Sequence, residues 1–221
     1  MCREQENMEK QTIAYSEKQS AIIHSAEKLF SQTGFDGTSV RDIAQEAGVN
    51  VAMISYYFGS KDKLMEAVFE QKTTQMRLKI ENLLLNNQIT HLEKVNILID
   101  DYVDKFIDQQ EFHKIMMREQ ILEQNTPVAA LILELKKRNL QSIKKLIQDG
   151  QKSGEFKKHI DIMLMMSTLV GTVSQVVISK RFYCEMNHLG DLTEPEYQKY
   201  IRKKLSAHLK NLFKITLTND I

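Results

Sequence analysis

The sequence predicts an all-α fold in which a small N-terminal three-helix domain is joined to a larger helical domain. Helix-breaking residues are scarce, with 8 Gly and 2 Pro among 221 residues. Apolar residues recur at the three- and four-residue spacing of amphipathic helices, and no stretch alternates as a strand does. Hydrophobic residues make up 42% of the chain and charged residues 27%, a balance typical of a globular protein and not of a disordered one.

Four helices are predicted in the first part of the chain, each from its own start and stop signals. Ser16 followed by Gln19 is a capping-box pattern, and Gly34 supplies the end of that first helix. Thr38 or Ser39 caps the second helix. The predicted helices run over 16–34, 39–47, 50–57 and 61–85.

Four or five longer amphipathic helices are predicted after them. Thr126 with Pro127 is a cap followed by proline at the first helical position, and Thr193 with Glu196 is a second capping box. These helices are predicted over 90–109, 111–123, 126–151, 160–186 and 193–217. Because short helices with tight turns give way to long helices near residue 80, we expect one helix to cross a domain boundary there. The predicted domains are 16–80 and 81–221.

The charge balance, the cysteines and the apolar segments of the chain predict its cellular compartment and exclude some classes of partner. Lys and Arg number 30 against 29 Asp and Glu, which excludes a strongly basic coat. Two cysteines, Cys2 and Cys184, make no disulfide framework, and the first residues lack the apolar core of a signal peptide. Residues 162–179 carry no charge, and we expect a helix buried on both sides within a protein, not a membrane span. A cytoplasmic protein is therefore expected.

The most specific motif is the segment 40–58, which has the pattern of a helix-turn-helix. Two helices that cross steeply need a small residue where they touch, here Ala44, and a residue tolerant of positive φ in the turn, here Gly48. Apolar residues that attach the pair to its neighbours are Ile43, Ala47, Val49, Ile54 and Tyr57. An αα-hairpin packed for structural reasons alone is the alternative.

The flanking residues extend this motif into a family resemblance. The segment 26–70 resembles the N-terminal domain of the TetR family of bacterial transcriptional regulators. The shared features are Phe30, Gly34-Phe35, Thr38 to Ala44, Ala47-Gly48-Val49, Tyr56-Tyr57-Phe58 and Ser60 to Leu64. The resemblance implies a DNA-binding regulator whose C-terminal domain holds a small-molecule pocket and a dimer interface. A repressor is expected rather than an activator, with no cofactor and no enzymatic activity.

The resemblance implies DNA contacts at both ends of the motif. Arg41 would donate to a guanine edge or grip a phosphate, and Ser39 would offer its hydroxyl to a phosphate. Lys61 opens the fourth helix, where its charge and the free backbone N–H groups favour a phosphate.

Residues 50–56 would form the recognition helix in the major groove. Met53 would touch a thymine methyl group, and Asn50 and Ser55 would form hydrogen bonds. Tyr56 and Tyr57 stand where the family holds the DNA backbone, although Tyr57 is equally explained as a core residue. The full predicted DNA-binding set is Ser39, Arg41, Asn50, Val51, Ala52, Met53, Ser55, Tyr56, Tyr57 and Lys61.

The recognition helix departs from the family pattern in its charge. Where many members have Lys-Gly-Thr-Leu-Tyr, this chain has Val-Ala-Met-Ile-Ser at 51–55. Between Ser16 and Lys72 there are six basic and eight acidic residues. Net charge therefore does not favour nucleic-acid binding, and the acidic groups must face away from DNA. We expect modest non-specific affinity and a shallow dependence on salt.

A twofold dimer is expected because one recognition helix reads only a few base pairs. Two helices about 34–36 Å apart would read a palindromic operator in double-stranded DNA. The uncharged helix and the final helix would pair with their copies into a four-helix bundle. The predicted interface residues are Ile162, Met166, Leu169, Gly171, Val173 and Val177. Burial of the same residues within one chain is the alternative.

The effector pocket is predicted on two adjacent helices, where methionines and aromatic residues would accept varied ligands. Its candidate residues are Tyr102, Phe106, Phe112, His113, Met116, Met117 and Gln120, although residues at this helical spacing more often form a core than a pocket wall. By resemblance, a small molecule would bind between the long helices, shift the fourth helix and move the two recognition helices out of register.

Three competing functions are weaker. Asp100, Asp101 and Asp104 spell the DDxxD motif of helical Mg²⁺-dependent prenyl-diphosphate enzymes, but a second acidic motif is not found. Cys184 and His188 are four residues apart and would share a metal only with further ligands. A helical adaptor whose helix-turn-helix packs against protein is the remaining possibility.

Overall fold

The computed structural model describes residues 15–122 and 126–219. The N-terminal residues that include Cys2 lie outside this range. Within the described residues the chain forms ten helices. They are α1 (Glu17–Thr33), α2 (Val40–Glu46), α3 (Val51–Phe58), α4 (Lys61–Leu85), α5 (His91–Asp108), α6 (Gln110–Leu122), α7 (Pro127–Lys152), α8 (Ile162–Ile178), α9 (Lys180–Met186) and α10 (Glu194–Leu217).

The helix ends follow the local capping signals. Ser16 and Gln19 form the predicted capping box of α1, and the backbone N–H of Gly34 donates to the carbonyl of Phe30 at its end. Of the two candidates for α2, Ser39 is the cap. The backbone N–H of Thr193 donates to Glu196 Oε2 at 2.8 Å, as the second predicted capping box requires. The all-α prediction is confirmed within the described residues.

The prediction of one continuous helix over 160–186 was wrong, because the helix is interrupted at Ser179. Helices α8 and α9 meet there at an angle of 78°. The Ser179 hydroxyl donates to the Gln175 carbonyl at 2.5 Å, and the Ser179 backbone N–H donates to the same carbonyl at 2.9 Å. Hydroxyl bonding to the carbonyl four residues earlier competes with helix continuation and bends helices.

The membrane expectation concerns the same segment. Among the described helices, none alone has both the length and the apolar character to span a bilayer; only the bent pair α8 and α9 together passes such a test, on length and composition.

The chain divides into two compact units whose borders differ from the predicted domains. Of the described residues, one unit contains those up to Lys79 together with those between Glu111 and Lys137, and the other contains Ile80–Gln110 and those from Arg138 onward. The first border falls inside α4, beside the predicted boundary at 80. Residues 111–137, which the sequence grouped with the second domain, belong to the first unit.

The core of the first unit explains this grouping. Phe112 is 3% exposed, and its ring centroid lies 4.9 Å from that of Phe69 on α4. Val128 and Ile132 of α7 are buried in the same cluster as Phe30 of α1. Burial of large apolar side chains on α6 and α7 against α1 and α4 therefore ties these segments to the helix-turn-helix.

In the second unit, α10 packs along α5. Every fourth residue of α10 is buried, a spacing that keeps one stripe on the same face of a helix. These residues are Tyr197, Ile201, Leu205, Leu209, Phe213 and Leu217. Buried residues on α5 include Val95, Ile99, Val103 and Phe106.

Candidate nucleic-acid interface

The turn between α2 and α3 has the features that a helix-turn-helix requires. Ala44 is 4% exposed, so the small residue predicted at the helix contact is buried there. Gly48 has φ of +64°, in the left-handed region that favours glycine. A Cβ at Gly48 would meet nothing within 4 Å. Glycine is therefore favoured by the backbone conformation of the turn and not by a lack of room for a side chain. The Val49 N–H donates to the Ala44 carbonyl at 3.0 Å and closes the turn.

The N-terminus of α2 is held by a reciprocal cap. Ser39 Oγ accepts from the Asp42 backbone N–H at 3.1 Å, and Asp42 Oδ2 accepts from the Ser39 N–H at 2.9 Å. The hydrogen bonds from Ser39 hold the pKa of Asp42 below its usual value. Arg41 follows this cap and is exposed. The cap thus fixes the helix turn from which Arg41 projects.

Helix α3 has one inward and one outward side. Ile54 is 1% exposed and lies in the core of the unit, with Tyr57 and Phe58 packed against that core. The outward side is formed by Val51, Ala52, Ser55 and Tyr56, which we call the recognition face. No member of this face carries a charge at neutral pH.

Asn50 begins α3 and uses part of its side chain to do so. Its Oδ1 accepts from the Ala52 backbone N–H at 2.9 Å. The NH₂ group makes no part of this cap, so it is the half of the amide that can donate to DNA without disturbing the helix start.

The structure separates the predicted DNA-binding residues by exposure. Tyr56 is 83% exposed, whereas Tyr57 is half-buried with its ring centroid 5.1 Å from that of Tyr56. Met53 is half-buried as well. The exposed members of the set are Ser39, Arg41, Asn50, Val51, Ala52, Ser55 and Tyr56.

Lys61 is engaged inside the protein. Its Nζ donates to the carbonyls of Phe35 at 2.9 Å and Thr38 at 3.1 Å, and it lies 4.3 Å from the centroid of the Phe35 ring. The side chain therefore joins the start of α4 to the loop between α1 and α2. Sequence reasoning assigned the ammonium to a phosphate and missed these carbonyls, because carbonyl contacts leave no mark in a sequence.

Several acidic groups of this unit are neutralised by partners. Glu27 is 4% exposed and pairs with Lys72 at 2.7 Å. Glu46 pairs with Lys28 at 2.6 Å on the surface. Each pair joins one acidic and one basic residue of this region, so the contacts hold these carboxylates in place and leave the net charge unchanged.

Comparison with known proteins agrees with this geometry. The family model described as bacterial regulatory proteins, tetR family, matches residues 22–68, and the model described as tetracyclin repressor-like, C-terminal domain, matches residues 92–207. The chain belongs to the TetR family. It is a ligand-responsive, DNA-binding transcriptional regulator.

Individual relatives show how the similarity is distributed. The Bacillus subtilis protein named Probable HTH-type transcriptional regulator YttP is 28% identical over 211 residues, which cover 90% of this chain and 96% of that protein. HTH-type transcriptional regulator RutR of Escherichia coli is 45% identical over 62 residues, covering 28% of this chain and 29% of RutR. These relatives are transcriptional regulators, not enzymes.

A solved structure extends the similarity to the fold. The transcriptional regulator FadR from Bacillus subtilis, in complex with stearoyl-CoA, aligns with a TM-score of 0.63 and 25% identity. The alignment covers 87% of this chain and 96% of FadR.

The DDxxD motif of this TetR-family chain, on α5, forms ion pairs and hydrogen bonds with side chains of α10. Asp100 contacts Ser206 and lies 2.5 Å from Lys210 Nζ, and Asp104 lies 2.8 Å from Arg202 Nη1. No group of three or more His, Cys, Asp or Glu residues that could hold a metal ion occurs among the described residues. The prenyl-diphosphate alternative is therefore not favoured.

An open cavity of about 760 Å³ lies in the second unit. It is lined by Lys180, Arg181, Cys184, Glu185, His188, Leu189, Gly190, Leu192 and Tyr197. It contains the Cys184 and His188 pair but none of the predicted effector residues. The third ligand that a metal site would need is not found among the described residues.

The predicted effector residues divide between the two units. Tyr102 and Phe106 lie on α5 with ring centroids 6.0 Å apart, and burial raises the pKa of Tyr102. Phe112, His113, Met116, Met117 and Gln120 lie on α6 in the first unit. Burial lowers the pKa of His113 to about 4, so its imidazole is neutral at pH 7.

Gln120 differs from the other members of that set. It is exposed, and its Nε2 donates to the Met116 carbonyl at 2.7 Å. Its Oε1 accepts from Lys136. These two bonds hold the Gln120 side chain on the outer side of α6, and its role in an effector pocket stays a prediction.

Two residues of α6 that the sequence did not single out contact the end of α1. Glu111 accepts from the Ser31 hydroxyl, and Arg118 Nη1 donates weakly to the Gln32 carbonyl at 3.4 Å. A Cβ at Gly34 would lie 2.9 Å from the Arg118 guanidinium, so glycine also gives this side chain room. No sequence signal identifies such pairs, since the partners are about 80 residues apart.

The predicted dimer interface on α8 needs one correction. Val173 is 0% exposed and belongs to the interior of its own chain. Gly171 is exposed, while Ile162, Met166, Leu169 and Val177 are half-buried. The large apolar side chains that face outward are Met163, Leu164, Val170 and Ile178 of α8 with Phe182 and Met186 of α9, which we call the exposed apolar surface.

Proposed function

We propose that the chain is a dimeric repressor that binds a palindromic operator through the recognition face and is released from DNA by a small-molecule effector. The observation that carries this proposal is the capped α2–turn–α3 unit. It buries Ile54 and leaves Val51, Ala52, Ser55 and Tyr56 exposed on one side. A helix whose inner side stays packed in the core can insert its exposed side into a major groove without disrupting that core.

The roles of the polar residues follow from their exposure. Arg41 reads a guanine edge or contacts a phosphate, and Ser39 donates its hydroxyl to a phosphate at the start of α2. Tyr56 contacts the DNA backbone through its hydroxyl, and Ser55 and the NH₂ group of Asn50 donate within the groove. Lys61 holds the loop before α2 in place, and any phosphate contact would use its one remaining N–H.

A second copy of the chain is proposed to cover the exposed apolar surface. Met163, Leu164 and Ile178 are each more than half exposed, at 57%, 66% and 59%. Contiguous large apolar side chains on a protein surface mark an interaction site. An isologous pairing of two such surfaces would supply the second recognition helix that a palindromic operator requires.

The effector is proposed to act through α6, because that helix shares a compact unit with the helix-turn-helix. Glu111 and Arg118 contact the last turn of α1, and α1 packs against α2. A ligand that shifts α6 would therefore strain the support of the recognition face. A coupling free energy of about 3 kcal/mol would lower DNA affinity roughly 150-fold.

A long-chain acyl-CoA is the first effector class to test. Support comes from FadR, which is similar over nearly its whole length and whose structure contains stearoyl-CoA. Stearoyl-CoA added to the operator complex should release DNA, while free coenzyme A should not. Equal effects of both compounds, or of neither, would reject this class and leave the DNA-binding proposal intact.

The main test is selection of bound fragments from genomic DNA, followed by gel shifts on the recovered site. We expect a palindrome and a stoichiometry of two chains. Arg41→Ala should weaken binding about 10–100-fold, the range for loss of a bidentate base contact. Arg138→Ala, an exposed arginine outside the interface, is the matched control. Unchanged binding by both Arg41→Ala and Tyr56→Ala in folded protein would refute the proposal, and a footprint that is absent would favour the adaptor.

A further inference from the structure

The recognition face has an unusual chemistry for a surface that enters a DNA groove. It offers the methyl groups of Val51 and Ala52 beside the hydroxyls of Ser55 and Tyr56. Val51 is 43% exposed although it is β-branched and apolar. Helix α3 contains no Arg, Lys, Gln, Asp or Glu, the side chains that most often read bases by paired hydrogen bonds.

Asn50, the amide residue at the start of α3, does not supply this kind of paired base contact. An asparagine reads adenine by pairing both its Oδ1 and its NH₂ with the base edge. Asn50 Oδ1 already accepts from the Ala52 N–H at 2.9 Å, and this bond caps the helix. This cap fixes the orientation of the amide, so turning it onto an adenine edge would compete with the Ala52 hydrogen bond.

The major-groove edges of the four bases differ in only one apolar group. Thymine carries a C5-methyl group, whereas adenine, guanine and cytosine present donors and acceptors there. A groove-facing pair of aliphatic side chains leaves polar base edges without partners, which costs affinity. The same pair gains affinity from a methyl group, because both apolar surfaces leave water together.

We propose that α3 selects its operator by thymine methyl groups, with Val51 and Ala52 as the specificity-determining residues. The inference rests on the proposed function and names the bases that this site reads. It replaces Met53, which is half-buried, as the expected thymine contact. The base pairs beneath α3 are accordingly A·T pairs, and guanine contacts are left to Arg41 on α2.

The test replaces single thymines of the selected operator by deoxyuridine, which lacks only the methyl group. Each replacement beneath α3 should weaken binding about fourfold, the value of one buried methyl-sized group. Deoxyuridine at thymines outside the two half-sites is the matched control and should change nothing. Equal effects inside and outside the half-sites would overturn the inference.

A protein variant assigns the methyl contact to a residue. Val51→Ala removes two methyl groups at an exposed position, and alanine favours the helix at least as well as valine. In this variant at least one deoxyuridine replacement should lose its fourfold penalty, while Arg41→Ala should retain every penalty. Val51→Ala that keeps all the penalties would exclude Val51 as a thymine contact.

The outcomes separate this inference from the function on which it rests. Failure to select any DNA sequence would remove the proposed function itself. Selection of a palindrome whose α3 positions are G·C pairs, or whose affinity ignores the thymine methyl groups, would leave the regulator in place and reject the thymine-reading inference alone.

Discussion

Helices α3 and α8 are both without charge, yet they expose different kinds of apolar side chain. Outward on α3 are Val51 and Ala52, and outward on α8 are large residues such as Met163 and Leu164. Small side chains leave room for a base edge to come close, whereas large ones bury enough area to hold a protein partner. The amount of exposed aliphatic surface, more than the absence of charge, thus distinguishes the two helices, because α3 exposes Val51 and Ala52 whereas α8 exposes Met163, Leu164, Val170 and Ile178.

The strongest test of this comparison places a charge on the larger surface. Leu164→Asp should weaken dimer formation at least about a hundredfold, since each chain would bury a carboxylate in an apolar interface. Analytical ultracentrifugation measures the association, and operator affinity should fall with it. Ile121→Asp, at a position 78% exposed in the first unit, is the matched control and should remain dimeric. Unchanged association of Leu164→Asp would place the dimer interface elsewhere.

Acid pH should lower the stability of the fold without titrating groups on either surface. Helix α8 has no titratable side chain, and the recognition face has only a tyrosine. The folded-state pKa of His113 is lowered to about 4 from 6.5. The unfolded chain therefore takes up the proton first, and stability falls as the pH drops from 6.5 towards 4. Between pH 7.5 and pH 5 the loss should be about 2 kcal/mol.

Urea unfolding at the two pH values measures this loss. His113→Leu should remove most of it, whereas His24→Gln, at an exposed position of α1, should leave it unchanged. An acid loss of the same size in His113→Leu would show that other groups are responsible.

A bulkier recognition face should lose DNA and keep the dimer. Val51→Met gives α3 the kind of side chain that α8 exposes, and overfilling a close contact costs about 1–3 kcal/mol. Operator affinity should fall about tenfold by fluorescence anisotropy, with no change in sedimentation. Tighter binding by Val51→Met would contradict the size argument.

The reverse exchange should have the smallest effect. Val170→Ala reduces a side chain on α8 that is 42% exposed, and the dimer dissociation constant should rise about fivefold. Operator binding should be unaffected at protein concentrations well above that constant. A loss of operator affinity under those conditions would mean that Val170 acts on DNA binding by another route.

Local signals predicted most of the helices from the sequence. Capping residues such as Ser16 and Thr193 mark a helix start through bonds to neighbours three residues away, so a short window contains the signal. The turn at Gly48 was predicted for the same reason. The break at Ser179 was missed because a serine within an apolar run points to a helix interior as readily as to its end.

The parts of the site that the sequence could not give depend on distant partners. Lys61 bonds to carbonyls of the loop before α2, and Arg118 stands against Gly34 from a helix far along the chain. Helical spacing placed Val173 on the interface, but packing turned it inward. Side-chain type predicts which groups a residue can bind, whereas the folded structure determines which of those groups lies next to it.

The apolar recognition face has a thermodynamic consequence for the operator complex. Burying the methyl groups of Val51 and Ala52 releases ordered water and gives a negative heat-capacity change. Calorimetry over a range of temperatures should show the binding enthalpy becoming steadily more exothermic on warming. A regulator built in this way would derive part of its grip on DNA from the solvent, and that part would persist at salt concentrations that screen phosphate contacts.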